Sequence, residues 1–515
     1  MNTIVKSSYV YSQRKNNTYH PGDVINFYIT PSNAYLNTQN THMVFNLTLT
    51  GNQYKGCVSS DAGVYSLFRS ITLLSGDGET VLEELAYYAG AQSTKYHFEN
   101  NECGNNLQYL HEGRPNKNYC DDTSFNQYCD CTKNDGTHYK TVEVTCPLWN
   151  SGILSPLRKT VWPNAYLKGL RIRIELYDNV SMFEGAKVPM FNTDGTASGN
   201  YGGYGSESTA YACNAAAING ATVLTLKKQG DAPITEAVLS ADVAKPAHVF
   251  CPKQWIYAKH SNDTEGTYQI KSIAIDADNR INLTLESGLT AAMAVDGEVW
   301  VSDSPDKNDV GFNLDNVRFN VSVAQPPKEF VDTMNSRLKS GKLNLDIDTY
   351  TCYPFNLSSG SLSNTIPINA RNKRCTSMLS LPMAGGGKSA KVFDKSFTPL
   401  LQQPRNYQYS LAGVLTPDRL VNLERLNTGR YDAVHLRELM HALQAAGIKV
   451  RDIRDVHTFF AVGRRFALKG YSFDALSQIS LNLNFKEMEE PVVLMNYLYH
   501  KAQIQVRQNG INVTK

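Results

Sequence analysis

A period of two governs this sequence. In GLRIRIELYD, Leu170, Ile172, Ile174 and Leu176 alternate with Arg171, Arg173 and Glu175. HMVFNLTLTG sets Met43, Phe45, Leu47 and Leu49 against Val44, Asn46, Thr48 and Thr50, and NVRFNVSVA repeats the pattern through Val317, Phe319, Val321 and Val323. GKLNLDIDTY does so through Leu343, Leu345 and Ile347, and SQISLNLNF through Ile479, Leu481, Leu483 and Phe485. Side chains on a strand point alternately to its two faces, so each segment has one face for a core and one for water. Antiparallel sandwiches and barrels read this way, whereas parallel sheets covered by helices on both faces read as continuous apolar runs. The alternation predicts a mainly β protein. Its 29 tyrosines, 35 glycines and 20 prolines suit strands joined by long turns.

Helical periodicity is confined to two segments. PPKEFVDTMNSRLKSG opens on prolines, places Phe330, Met334 and Leu338 four apart and stops at Gly341. GRYDAVHLRELMHALQAAG carries Val434, Leu436, Leu439, Met440 and Leu443 on one stripe and stops at Gly447. The first helix falls between two strand-rich regions and suits a connector. At 515 residues the chain exceeds one ordinary core. The expected division is a first β module over 14–325 and a second over 326–515. Small-residue composition marks 180–310 as an insertion with its own short strands. A second insertion, about 99–140, is rich in Asn, Asp and Cys.

Charge is balanced, 50 Lys+Arg against 48 Asp+Glu, and the basic runs RNKR (371–374) and GRR (463–465) are short, with NKN (116–118) holding a single lysine. Nothing here resembles the long basic arm of a genome-binding protein. The first residues lack the apolar stretch of a secretory signal, and no apolar run is long enough to span a bilayer. Sequons such as Asn46, Asn179 and Asn320 then reflect an Asn- and Thr-rich β protein, and the ten cysteines are read first as thiols.

One stretch invites a chemical reading. LPMAGGGKSAKV ends like a phosphate-binding loop at Gly387, Lys388 and Ser389. That loop needs a glycine at 382, where Pro382 has no N–H to give, and a helix behind it, where AKVFDKSFTPL shows none. Cys103, Cys120, Cys129 and Cys131 share one insertion with His97, His111 and His138. Free thiols, one or two disulfides, or a structural zinc all remain open there, although CDC is not the usual C-x-x-C knuckle. His435 and His441 lie six apart, not the four that put two imidazoles on one helix face. Glu489 and Glu490 read as solvated turn charges. No acid, base and nucleophile assemble, so neither an enzyme nor a cofactor is expected.

SLFRSITLLSGDGETVLEEL (66–85), VTCPLWNSGILSPLRKTVWPNAYLKGLRIRIEL (144–176) and RNYQYSLAGVLTPDRLV (405–421), in this order and with tandem β modules around a linking helix, resemble the double jelly-roll major capsid proteins of virophages, polinton-like viruses and their relatives. The resemblance covers most of the chain outside the two insertions. It implies two tandem eight-stranded antiparallel sandwiches, three chains forming a pseudo-hexameric capsomer, and capsomers tiling an icosahedral shell. The expected location is then the virion, and the expected partners are further copies of the chain and minor capsid proteins such as a penton protein, without sequence-specific nucleic-acid binding. The 180–310 insertion would form an outward tower. The competing expectation is a receptor- or carbohydrate-binding spike or fibre. Phe45, Ile172, Ile174, Phe319, Leu345, Leu481 and Phe485 are the expected core-facing residues.

Overall fold

The alternating segments pair into four sheets that follow one plan twice. The computed structural model describes residues 5–14, 17–50, 57–58, 63–99, 141–158, 161–177, 183–184, 211–228, 255–262, 264–275, 280–302, 311–384, 404–424, 432–450, 460–466, 470–474, 478–486, 492–508 and 510–514. The first eight principal strands are β1 (Val5–Tyr11), β2 (Val24–Ile29), β3 (His42–Thr50), β4 (Phe68–Ser75), β5 (Val81–Ala86), β6 (Thr141–Cys146), β7 (Leu170–Leu176) and β8 (Gly311–Ala324). They form two antiparallel sheets, ordered β1-β8-β3-β6 and β2-β7-β4-β5. The second set is β9 (Leu343–Leu357), β10 (Ser363–Ile368), β11 (Arg374–Ala384), β12 (Pro404–Leu411), β13 (Val414–Asn422), β14 (Val462–Arg465), β15 (Ile479–Phe485) and β16 (Val492–Arg507). Its sheets run β9-β16-β11-β14 and β10-β15-β12-β13, the same order again. Each set is a jelly roll, in which successive strands alternate between the two sheets except at the hairpins β4–β5 and β12–β13, whose strands share a sheet. The fold is a tandem pair of eight-stranded jelly rolls.

The inner faces supply the core. Along β7 the apolar residues are buried, while Arg171 and Arg173 face water. Phe27 of β2 meets Phe319 of β8 edge-on across the sheets at 5.4 Å, a favoured aromatic geometry. All seven expected core residues, Phe45, Ile172, Ile174, Phe319, Leu345, Leu481 and Phe485, are buried. β12 and β13 are joined by Ala412 and Gly413, both at positive φ, the backbone a tight two-residue hairpin requires.

Three features depart from the sequence pattern. β1 lies ahead of residue 14 and pairs with β8 from Val5 to Tyr11. It is an outer strand held by main-chain bonds, with Tyr9 and Tyr11 exposed, so it shows no apolar alternation. A third helix, α1 (Tyr88–Phe98), joins the expected α2 (Lys328–Lys339) and α3 (Ala433–Ala445). Tyr88, Ala89, Ala91, Gln92, Thr94, Lys95, Tyr96 and Phe98 are all buried, and a helix covered on every side has no polar face to reveal its period. On α3 the buried stripe runs through His435, Leu439, Ala442 and Leu443, leaving Val434 in water.

Between β7 and β8 the chain forms a closed six-stranded barrel from strands Tyr211–Cys213, Val223–Lys228, Trp255–Lys259, Glu265–Ile275, Ile281–Leu285 and Glu298–Ser302. Leu224, Leu226, Ile256, Ile270 and Leu283 fill it, and its core shares no residue with that of the rolls. His260 Nε2 lies 2.7 Å from Tyr268 Oη, which also accepts the Thr290 amide at 2.9 Å. Gly266 is needed there, because a Cβ would sit 2.3 Å from that hydroxyl.

Candidate assembly surfaces and the inter-module seam

The two rolls meet over a loop that the sequence arranges around one buried carboxylate. A β-bulge where β5 pairs with β4 lets consecutive residues, Leu82 and Glu83, both turn inward. Glu83 is 2% exposed. Its oxygens accept hydrogen bonds from Ser151 Oγ at 2.6 Å and from the amides of Gly152 at 2.7 Å and Ile153 at 3.3 Å. Ser151 Oγ accepts in turn from the Leu154 amide at 2.9 Å. Burial pushes the Glu83 carboxyl above its ordinary pKa, and the bonds from Ser151, Gly152 and Ile153 pull against that shift.

Folded this way, the loop presses on the second roll. A Cβ on Gly152 would stand 2.4 Å from the Asp348 carbonyl oxygen of β9, so only glycine permits the approach. Arg158 spans the seam: Nη1 donates to the Gly152 carbonyl at 2.7 Å and Nη2 reaches the Asp346 carbonyl at 3.5 Å. Its guanidinium lies 4.6 Å from the Trp162 ring centroid, a cation–π distance. Burial lowers the Arg158 pKa, opposed by Glu83, Asp348 and Asp346. Nearby, Tyr497 Oη of β16 donates to the Tyr87 carbonyl at 2.9 Å, and the Lys449 amide to Glu99 Oε1 at 2.8 Å. The seam is polar contact set within apolar burial, and it joins two sheets of different rolls.

Apolar side chains also stand in water on outer strands. Tyr9 and Tyr11 do so on β1; Val414, Leu415 and Leu420 do so on β13. Among the described residues no strand pairs on the outer side of either, so both offer main-chain groups as well as apolar surface.

The residues that suggested chemistry do not converge. Cys103, Cys120, Cys129 and Cys131, with His111 and His138, lie outside the described residues, as do Lys388 with its glycines and Glu489 and Glu490. Pro382 is inside β11, opposite Leu494. Cys146, Cys213, Cys352 and Cys375 are buried thiols that form no disulfide among the described residues. Burial pushes Cys213 up to about 11 and Cys375 up to about 12, which suppresses thiolate reactivity. Of the basic runs, Lys373 donates to Tyr353 Oη at 2.7 Å, and Arg464 pairs with Glu438. His435 is buried in the second roll. Among the described residues no three His, Cys, Asp or Glu side chains are grouped to hold a metal, and no helix is long and apolar enough to cross a membrane. Glu83 escaped sequence reading because VLEEL looks like a strand end with two solvated glutamates.

No protein-family model matches the chain, and no curated protein does. Solved structures do. The Faustovirus major capsid protein is 7% identical, with 98% of this chain and 91% of that chain covered and a TM-score of 0.52. A chain of the PBCV-1 virus capsid is 9% identical over 100% of this chain and 97% of that one, with a TM-score of 0.49. A chain of the Sputnik virophage is 7% identical over 99% and 88%, with a TM-score of 0.44. The Faustovirus match supports the double jelly-roll fold reached above from strand order.

Proposed function

We propose that this chain is a structural major capsid protein whose work is self-assembly. The observation that carries the reading is the repeated strand order: two rolls of one topology in one chain give three chains six similar corners. Such a pseudo-hexameric trimer tiles an icosahedral shell from a single gene product. The division at 325/326 falls just ahead of α2, between β8 and β9. The barrel between β7 and β8 serves as an outward tower, and the exposed apolar residues of β1 and β13 meet neighbouring copies. A permanent trimer interface buries on the order of 2,000–5,000 Å². The chain then resides in the virion and meets minor capsid proteins, a penton protein among them, at the shell's vertices. The Faustovirus neighbour, a major capsid protein of the same fold, supports this role.

Electron microscopy of the purified full chain tests the proposal. Pseudo-hexagonal trimers or closed shells are expected. Elongated isolated spikes would overturn it and favour a receptor- or carbohydrate-binding fibre.

A further inference from the structure

His435 occupies the first turn of α3, two residues after Val434's neighbour Ala433, and its ring is completely buried. Tyr407 of β12 meets the imidazole edge-on at 5.8 Å, and Phe460 lies beside it at 6.2 Å with an interplanar angle of 32°. Neither ring nitrogen has a hydrogen-bond partner among the described residues, and the Tyr407 hydroxyl has none either. A buried polar group left without a partner weakens the fold, so an aromatic hydrocarbon would serve better here if packing were the only requirement. A neutral imidazole tolerates the slot. An imidazolium would bring two N–H donors and a full charge to a place where neither ring nitrogen has an acceptor among the described residues, at the positive end of a helix.

Among the described residues, the charged and titratable groups around it offer little relief. On α3 itself, the Asp432 carboxylate already caps the helix by accepting from the Val434 and His435 amides at 3.0 and 3.4 Å. Glu438, one turn on, is already paired with Arg464 of β14. β12 contributes the phenols of Tyr407 and Tyr409, and the 460–462 segment contributes only apolar side chains. Gly463 of β14 is tight against α3, where a Cβ would lie 2.7 Å from that of Ala442, so the helix has no room to adjust while docked.

We propose that His435 is an acid-sensitive latch: protonation of its imidazole releases α3 from the second jelly roll. α3 packs on β14, β11 and β13, so its release uncovers the side of the roll between outer strands β13 and β14. Burial holds the imidazole down to about 4, with Asp432 opposing, against an ordinary 6.5. The sign follows directly. With the docked pKa depressed, docking is at full strength above about 6.5 and weakens as pH falls toward about 4, because the released helix binds the proton more readily. The inference does not depend on what the chain assembles into.

Hydrogen exchange of the full chain, corrected for the intrinsic pH dependence of amide exchange, reads this directly. Between pH 7.5 and 4.5 the opening equilibrium of amides 433–445 should rise roughly 50- to 100-fold in the wild type. The amides of β16 should not follow, and His435→Phe should flatten the α3 profile. An equal rise in His435→Phe, or an α3 profile that only tracks β16, overturns the latch. Should His435→Phe fail to fold, the wild-type comparison of α3 with β16 decides alone: divergence supports the latch and parallel profiles reject it.

Discussion

Ile172→Asp leaves no folded protein. Ile172 lies at the centre of β7, between Phe27 of β2 and Leu73 of β4, with 1% of its surface exposed. Aspartate there puts an unpaired carboxylate into the apolar space between two sheets, among the few changes that cost more than about 4–5 kcal/mol. A domain's net stability is only about 5–15 kcal/mol, so little or nothing remains. Expression followed by size exclusion and thermal melting is the check, with Arg173→Asp as control. Arg173 is on the wet face of the same strand, paired among the described residues with Glu175 beside it, and its loss should move stability by about 0.5 kcal/mol or less. Soluble, cooperatively melting Ile172→Asp protein would refute the sandwich assignment of β7.

Glu83→Ala should have the second-largest effect, and it should strike between the rolls. The substitution removes the acceptor of the Ser151 hydroxyl and of the Gly152 amide, a loss on the order of 3 kcal/mol. It also strips Arg158 of a nearby countercharge. Glu83→Gln keeps one acceptor and should fall between wild type and alanine. Gly152→Ala approaches the same seam from the other side, since its methyl group overlaps the Asp348 carbonyl. Hydrogen exchange over 147–158 distinguishes a seam from general instability. In Glu83→Ala these amides should lose protection at denaturant concentrations that leave β7 and β16 protected. Uniform loss across both rolls would show that Glu83 merely supports its own sandwich.

The strands were legible because one wet face leaves an alternating trace, as on β7 and β15, where every second residue is buried. Elements without a wet face, or without a dry one, left no such trace. α1 is enclosed all round, and β1 is an exposed edge. The bulge in β5 breaks the period of two where it matters most: Val81 is left in water while Glu83 is drawn inside. On α3, reading Val434 as apolar and His435 as polar rotates the stripe by one residue. Tertiary contacts with Tyr407 and Phe460, invisible along the chain, chose the histidine instead. The seam itself depends on contacts between residues as distant as Tyr87 and Tyr497, and no local pattern encodes such a pair.

The barrel between β7 and β8 has a bearing on how such a protein can change over generations. Among the described residues its interior is packed by its own side chains, so a substitution at Leu226 or Ile270 perturbs the barrel and leaves the registers of β7 and β8 untouched. Mutational load in one unit is thereby insulated from the other. The barrel interior can thus accept substitutions while the strand pairing of the rolls that flank it is unchanged.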